Sequence, residues 1–136
     1  MSKRAIASFT VTNWDPKPYG EGSGPHLSRT AVSKDFSGDL DGTSTGELLT
    51  CQADPADLSA GAGYVASEVV TGTLTNRTGT FVLQHMGISG GGYAPRSLGH
   101  VVPGSGTGGF VGITGSAEFK VDADGSHTLI LEYTLG

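Results

Sequence analysis

Val101-Val102-Pro103-Gly104-Ser105-Gly106-Thr107-Gly108-Gly109-Phe110-Val111-Gly112-Ile113-Thr114-Gly115 is the stretch on which the fold turns. It contains Gly104-x-Gly106-x-x-Gly109, the spacing of a dinucleotide-binding loop. Such a loop needs a strand before it and a helix after it, because the helix N-terminus neutralises the pyrophosphate. Here Pro103 breaks the apolar run before the loop. Gly112 and Gly115 then penalise a helix by about 1 kcal/mol each relative to Ala. The acid expected roughly 20 residues further on falls near Asp124, inside an Asp-Gly turn. No Gly-Lys-Ser/Thr follows, so this is no phosphate-binding P-loop, and Ser105 does not sit in a Gly-x-Ser-x-Gly elbow. The segment predicts a glycine-rich turn between strands. Phe110 to Ile113 and Ala117 to Val121 are expected to form a hairpin turning at Gly115.

The rest of the chain repeats a period of two. Ala5, Ala7, Phe9 and Val11 share one face of a first strand. Asp15 to Pro25, with three prolines and three glycines, is expected to be a loop. Leu27 to Phe36 is extended again, with Val32, Lys34 and Phe36 on one side. Gly38 to Gly42 supplies turn chemistry before a strand at Thr43 to Cys51. Asp54-Pro55 marks a short helical turn with Asp54 as its N-cap. Tyr64 to Leu74 is a long strand that pairs with Thr80 to Met86 through a turn at Asn76 to Gly79. Gly90-Gly91-Gly92 with Pro95 marks a loop before a strand at Ser97 to Val102. Asp122 to Gly125 turns into the last strand, His127 to Leu135. About eight strands joined by tight turns predict a single all-β domain over residues 1–136, an eight-stranded antiparallel β-barrel. A two-sheet sandwich is the alternative.

Composition agrees with a folded domain and removes several functional classes. The 136 residues include 23 glycines, and the formal net charge is −5. Eight scattered bases make no basic stripe, so no nucleic-acid partner is expected. No apolar run approaches the roughly 20 residues of a membrane span, and Ala5 to Trp14 alternates where a signal sequence would be continuously apolar. With one cysteine, Cys51, the expectation is a cytoplasmic protein. The four histidines, His26, His85, His100 and His127, lack metal-ligand spacing, and Asp39-x-Asp41-Gly42 and Asp122-x-Asp124-Gly125 lack the later ligands of a calcium loop. No metal and no cofactor are expected.

Chemistry is expected where strands face one another. Tyr64, Ala66, Glu68, Val70 and Leu74 share a face, which sets Glu68 among apolar neighbours. If that face points inward, burial raises the carboxyl's pKa and makes Glu68 a candidate acid or base. The alternative is a solvent-facing or salt-bridged Glu68, with Arg77, Arg29 or Lys34 as partner. Phe81, Leu83 and His85 share a face of the next strand, opposite Thr80, Val82, Gln84 and Met86. His127, Leu129, Leu131 and Tyr133 share a face of the last. His85 is the second candidate catalytic residue. Tyr64, Gln84, Tyr133 and Trp14, the last at the mouth of the barrel, are candidate ligand contacts.

The order of several motifs resembles a known family. These are Trp14, Phe36-Ser37-Gly38-Asp39-Leu40-Asp41-Gly42, Tyr64 leading into Glu68-x-x-x-Gly72-Thr73-Leu74, Gly79-Thr80-Phe81-Val82-Leu83-Gln84-His85, and Pro103-Gly104-Ser105-Gly106-Thr107-Gly108. Together they look like the bacterial domain-of-unknown-function family 3224. The resemblance implies an allene-oxide-cyclase-like, eight-stranded antiparallel barrel. By analogy with related barrels it implies a cofactor-independent isomerase, cyclase or lyase acting on a small apolar molecule. Family members usually carry an acid and Leu after Ser-Gly-Thr-Gly, where this chain has Gly109-Phe110. The alternative is a non-catalytic ligand-binding or structural barrel. A homodimer is expected, because small barrels with apolar outer faces often associate.

Overall fold

The structure, a computed structural model, describes residues 2–20 and 25–135, the side chain of Leu58 excepted. Among these described residues, nine strands follow one another. They are β1 (Lys3–Tyr19), β2 (His26–Gly38), β3 (Leu40–Gln52), β4 (Ala62–Leu74), β5 (Arg77–Gly90), β6 (Tyr93–Val101), β7 (Thr107–Gly108), β8 (Thr114–Val121) and β9 (His127–Thr134). Every pairing is antiparallel. Sequential neighbours pair from β1 to β6, then β6 pairs with β8, β8 with β9, and β9 returns to β1. This closes an eight-stranded barrel, as expected, and leaves β7 as a two-residue addition to the edge of β5.

The predicted faces hold except at Val11, which is exposed where the β1–β2 register shifts between Val11 and Asn13. Ala5, Ala7 and Phe9 of β1, Val32, Lys34 and Phe36 of β2, Glu68 and Val70 of β4, Phe81, Leu83 and His85 of β5, and Leu129, Leu131 and Tyr133 of β9 are all buried. Closure puts each inward row into one lumen, and the lumen is filled by side chains. The main apolar cluster runs from Ala5 and Phe9 down to Leu40, Leu74, Phe110 and Tyr133. A small second cluster, Val32, Leu48 and Ala66 with Tyr64 against it, lies nearer the other end.

Several boundaries differ from the sequence reading, each for a local reason. β1 continues through Asp15–Tyr19 instead of looping, because β9 pairs only as far as Phe9 and leaves that half of β1 as an edge. Pro16 and Pro18, two residues apart, put their missing N–H groups on that unpaired edge, where the ladder does not need them. Residues 21–24 of the expected loop lie outside the described residues. The turn after β2 is tighter than Gly38 to Gly42: Leu40 already pairs with Leu74 and is 1% exposed. The β4–β5 turn is Thr75-Asn76, both at positive φ (51° and 63°), a two-residue hairpin whose twist matches the strands. β5 runs on to Gly90, so only Gly91 and Gly92 remain as the turn before β6. Asp54 accepts from the Ala56 N–H, but the 3-10 turn at Leu58–Ala60 is capped by Asp57.

The glycine-rich stretch is a turn, as expected, but not a hairpin. Phe110 to Ile113 forms consecutive turns, and Gly115 lies inside β8 opposite Tyr133. The stretch takes over the edge of β5 where β6 departs. Ser105 Oγ accepts from the Val82 N–H at 3.0 Å, Thr107 pairs with Thr80, and the Gly109 N–H donates to the Thr78 carbonyl at 2.8 Å. Phe110 and Ile113, both 0% exposed, then plug that end of the lumen. A Cβ on Gly106 would meet the Phe110 carbonyl oxygen, so this compact path requires glycine there.

Candidate functional site

A charged cluster sits between the two apolar clusters. Glu68 on β4 projects into the lumen with no exposed side-chain surface. Lys34 Nζ donates to its Oε1 at 3.1 Å from β2, and His85 Nε2 lies 2.8 Å from the same oxygen, from β5. Ser44 Oγ on β3 donates to Oε2. His85 Nδ1 lies 2.9 Å from the Tyr64 hydroxyl. Four consecutive strands thus contribute to one hydrogen-bonded chain.

Room for these side chains comes from glycines. Glu68 is the direct cross-strand partner of Gly46, Tyr64 of Gly87, and His85 of Gly99. A Cβ at Gly87 would lie 2.6 Å from the Tyr64 ring, and one at Gly99 2.6 Å from the His85 Cβ. Aromatic rings close the remaining sides. Lys34 Nζ lies 4.6 Å from the Phe119 ring centroid and 4.8 Å from that of Phe9, within cation–π range. The His85 ring stacks on Phe119 at 4.2 Å.

The electrostatics decide the proton states. Burial alone pushes the Glu68 carboxyl up, as the sequence suggested, but the hydrogen bond from His85, the Lys34 charge and the hydrogen bond from Ser44 outweigh it. The carboxyl is held at about 2. Glu68 is therefore a carboxylate and an acceptor only, which removes the expected role of Glu68 itself as an acid at neutral pH. In a neutral His85 ring, the Glu68 acceptor places the proton on Nε2 and leaves Nδ1 to accept from the Tyr64 O–H. Burial, with the Glu68 charge behind it, pushes the Tyr64 phenol up to about 12. The chain thus has one direction: Tyr64 O–H to His85, His85 N–H to Glu68, with Lys34 balancing the charge. Tyr64 is its only half-buried member; Glu68, His85, Lys34 and Ser44 are buried.

Of the candidates named from the sequence, the structure brings Glu68, His85 and Tyr64 together and leaves three apart. Gln84 points outward and donates to Ser67 Oγ at 3.0 Å. Tyr133 is buried at the other end of the lumen, its hydroxyl 2.8 Å from Thr75 Oγ1. Trp14 is 54% exposed and lies opposite Val32, three strands from Glu68 along one cross-strand row. Lys34 is the one of the three salt-bridge partners named for Glu68, Arg77, Arg29 and Lys34, that the structure places on it. Ser44 carried no signal in the sequence. Gly109 lies beside Arg77, where a Cβ would come within 3.1 Å of the arginine's own Cβ, far from the cluster. Among the described residues, no group of three or more His, Cys, Asp or Glu is placed to hold a metal ion. Among the same residues, no helix is long and apolar enough to cross a membrane.

A family model described as "Protein of unknown function (DUF3224)" matches residues 5–133. Among solved structures, a protein of unknown function from the same family in Shewanella oneidensis MR-1 is similar to this chain. It shares 34% identity and a TM-score of 0.85, over 100% of this chain and 99% of that one. No curated protein matches.

Proposed function

This chain belongs to the DUF3224 family, and from its geometry we propose that it is a cofactor-independent barrel that binds a small, largely apolar molecule at Tyr64 and shifts a proton on it. The observation that carries this reading is the hydrogen-bonded chain that links half-buried Tyr64 through His85 to the buried Glu68 carboxylate.

The order of groups is that of a hydroxyl–imidazole–carboxylate triad. A ligand proton moves to the Tyr64 oxygen while the Tyr64 proton moves to His85 Nδ1. The imidazolium so formed stays hydrogen-bonded to ionised Glu68. Reversing the two transfers returns a proton to a different atom of the ligand, so the net reaction is an isomerisation with no proton gained or lost. A phenol held at about 12 is protonated at rest, so the reading uses no free phenolate. Lys34 keeps Glu68 ionised, and the low-dielectric surroundings strengthen each interaction along the chain. Val32, Leu48 and Ala66 supply an apolar wall beside Tyr64.

Cost supports function too. A buried ion pair often adds no stability over apolar side chains of the same volume, so a charged cluster in a filled lumen invites a chemical explanation. The competing reading is structural: Glu68 has no exposed side-chain surface, and both its oxygens are bonded within the barrel. On that reading the cluster fixes strand register only.

Ligand-observed NMR against a panel of small cyclic and unsaturated ketones, lactones and ethers separates the two. Binding that weakens about tenfold or more in Tyr64→Phe, with the fold intact, is the expected result. Equal binding by wild type and Tyr64→Phe contradicts the reading.

A further inference from the structure

The outer face of the barrel carries a row that the interior chemistry does not use. Leu49, Val65, Met86 and Leu98 are direct cross-strand neighbours on β3, β4, β5 and β6. They are 47%, 48%, 44% and 68% exposed. Single exposed apolar residues are ordinary, but four in an unbroken line form a patch of the kind that marks an interaction site. Beside it runs a polar row in the same register, Glu47, Ser67, Gln84 and His100. The two rows share a shallow groove with Arg29.

We infer that this face docks a second copy of the same chain. A two-fold axis parallel to the strands, between β4 and β5, carries β3 onto β6 and keeps each row at its own level. It sets Leu49 against the partner's Leu98 and Val65 against the partner's Met86. In the polar row it sets Glu47 against the partner's His100 and Ser67 against the partner's Gln84. Apolar thus meets apolar, and the one acid of the polar row meets its histidine, while Arg29 keeps Glu47 ionised through paired contacts of 3.0 and 2.8 Å. The apolar row forms the centre and the polar row the rim, the usual anatomy of a protein interface.

Sedimentation equilibrium of the full chain tests this, with far-UV circular dichroism as the check on folding. The expected result is a mass twice the 13.8 kDa of one chain, and at least tenfold weaker association in Val65→Glu and in Leu98→Glu. A second arm does not depend on those variants folding. Leu49→Cys with Leu98→Cys, in a Cys51→Ser background, places the two thiols three strands apart in one chain, roughly 14 Å. That exceeds disulfide reach, so a link between them joins two chains. Oxidation to a covalent dimer supports the inference. A wild-type chain that sediments as a monomer overturns it, as does a dimer that neither glutamate weakens nor the cysteines link.

Discussion

Gly46 lies directly opposite Glu68 on the neighbouring strand, and a methyl group at position 46 would come within 2.9 Å of the Glu68 Cα. The same relation joins Gly87 to Tyr64 and Gly99 to His85. Inward-facing glycines are placed where the polar side chains need space, so in this barrel backbone composition and site are one feature. Gly99→Ala is expected to cost about 1–3 kcal/mol, because its Cβ meets the His85 Cβ at 2.6 Å and the Gln84 carbonyl at 3.0 Å. It should also shift the His85 ring resonances. Gly63→Ala is the control. Its nearest contact is 3.4 Å and its φ is not positive, so it should be neutral or stabilising by up to about 1 kcal/mol. Urea denaturation of both checks the contrast.

Lys34 and Glu68 should behave as one unit. Glu68→Gln leaves a buried ammonium without its counter-charge, and Lys34→Met leaves a carboxylate supported only by His85 and Ser44. Each single change is expected to cost about 3–5 kcal/mol. The double variant should cost less than the sum by more than about 1 kcal/mol. Additive costs in a denaturation cycle would show that the two charges do not interact.

Acid stability follows from the same carboxylate. Its folded pKa is lowered from 4.5 to about 2, so its contribution is complete above the unfolded value and is lost as pH falls from about 4.5 through 2. Loss of stability in that window should be on the order of 3 kcal/mol steeper in wild type than in Glu68→Gln. Melting temperatures at pH 5, 3.5 and 2 provide the check. Parallel profiles for the two proteins would contradict the assignment.

Much of the fold was legible because alternation survives in nearly every strand. Ala5 to Phe9, Val32 to Phe36 and Phe81 to His85 each show which face is buried without reference to any partner. The failures came where tertiary context overrode local chemistry. Pro16 and Pro18 signalled a loop, but an unpaired edge accommodates proline within a strand. Phe110 to Ile113 has the composition of a strand, yet its two largest side chains are spent plugging the lumen. The site was half legible. Glu68 and His85 lay on identified inward faces, so burial could be foreseen. The sequence offered Lys34 as one of three partners for Glu68 but could not choose among them, and nothing pointed to Ser44, 24 residues away in the chain. Gln84 and Tyr133 show the opposite limit: one lies on the outer face, the other at the far end of the lumen, and residue type alone does not give depth.

Tyr64→Phe should cost little stability, about 0.5–1.5 kcal/mol, since it removes one neutral hydrogen bond and leaves the ring in place against Gly87. In wild type, the Tyr64 phenol should need a pH near 12 to ionise. A ¹³C titration of the tyrosine Cζ resonances, assigned with the variant, reads this directly. Ionisation of Tyr64 near the ordinary value of about 10 would mean that neither burial nor the Glu68 charge acts on it.

The most direct measurement is the tautomer of His85, read from long-range ¹⁵N–¹H correlations of the neutral ring. The relay requires the proton on Nε2, donated to Glu68, with Nδ1 unprotonated and accepting from Tyr64. In Tyr64→Phe the tautomer should persist while the Nδ1 resonance moves to that of a free acceptor. A proton on Nδ1 in the wild-type neutral ring would reverse the chain, make Tyr64 the acceptor, and remove the path from Tyr64 to Glu68.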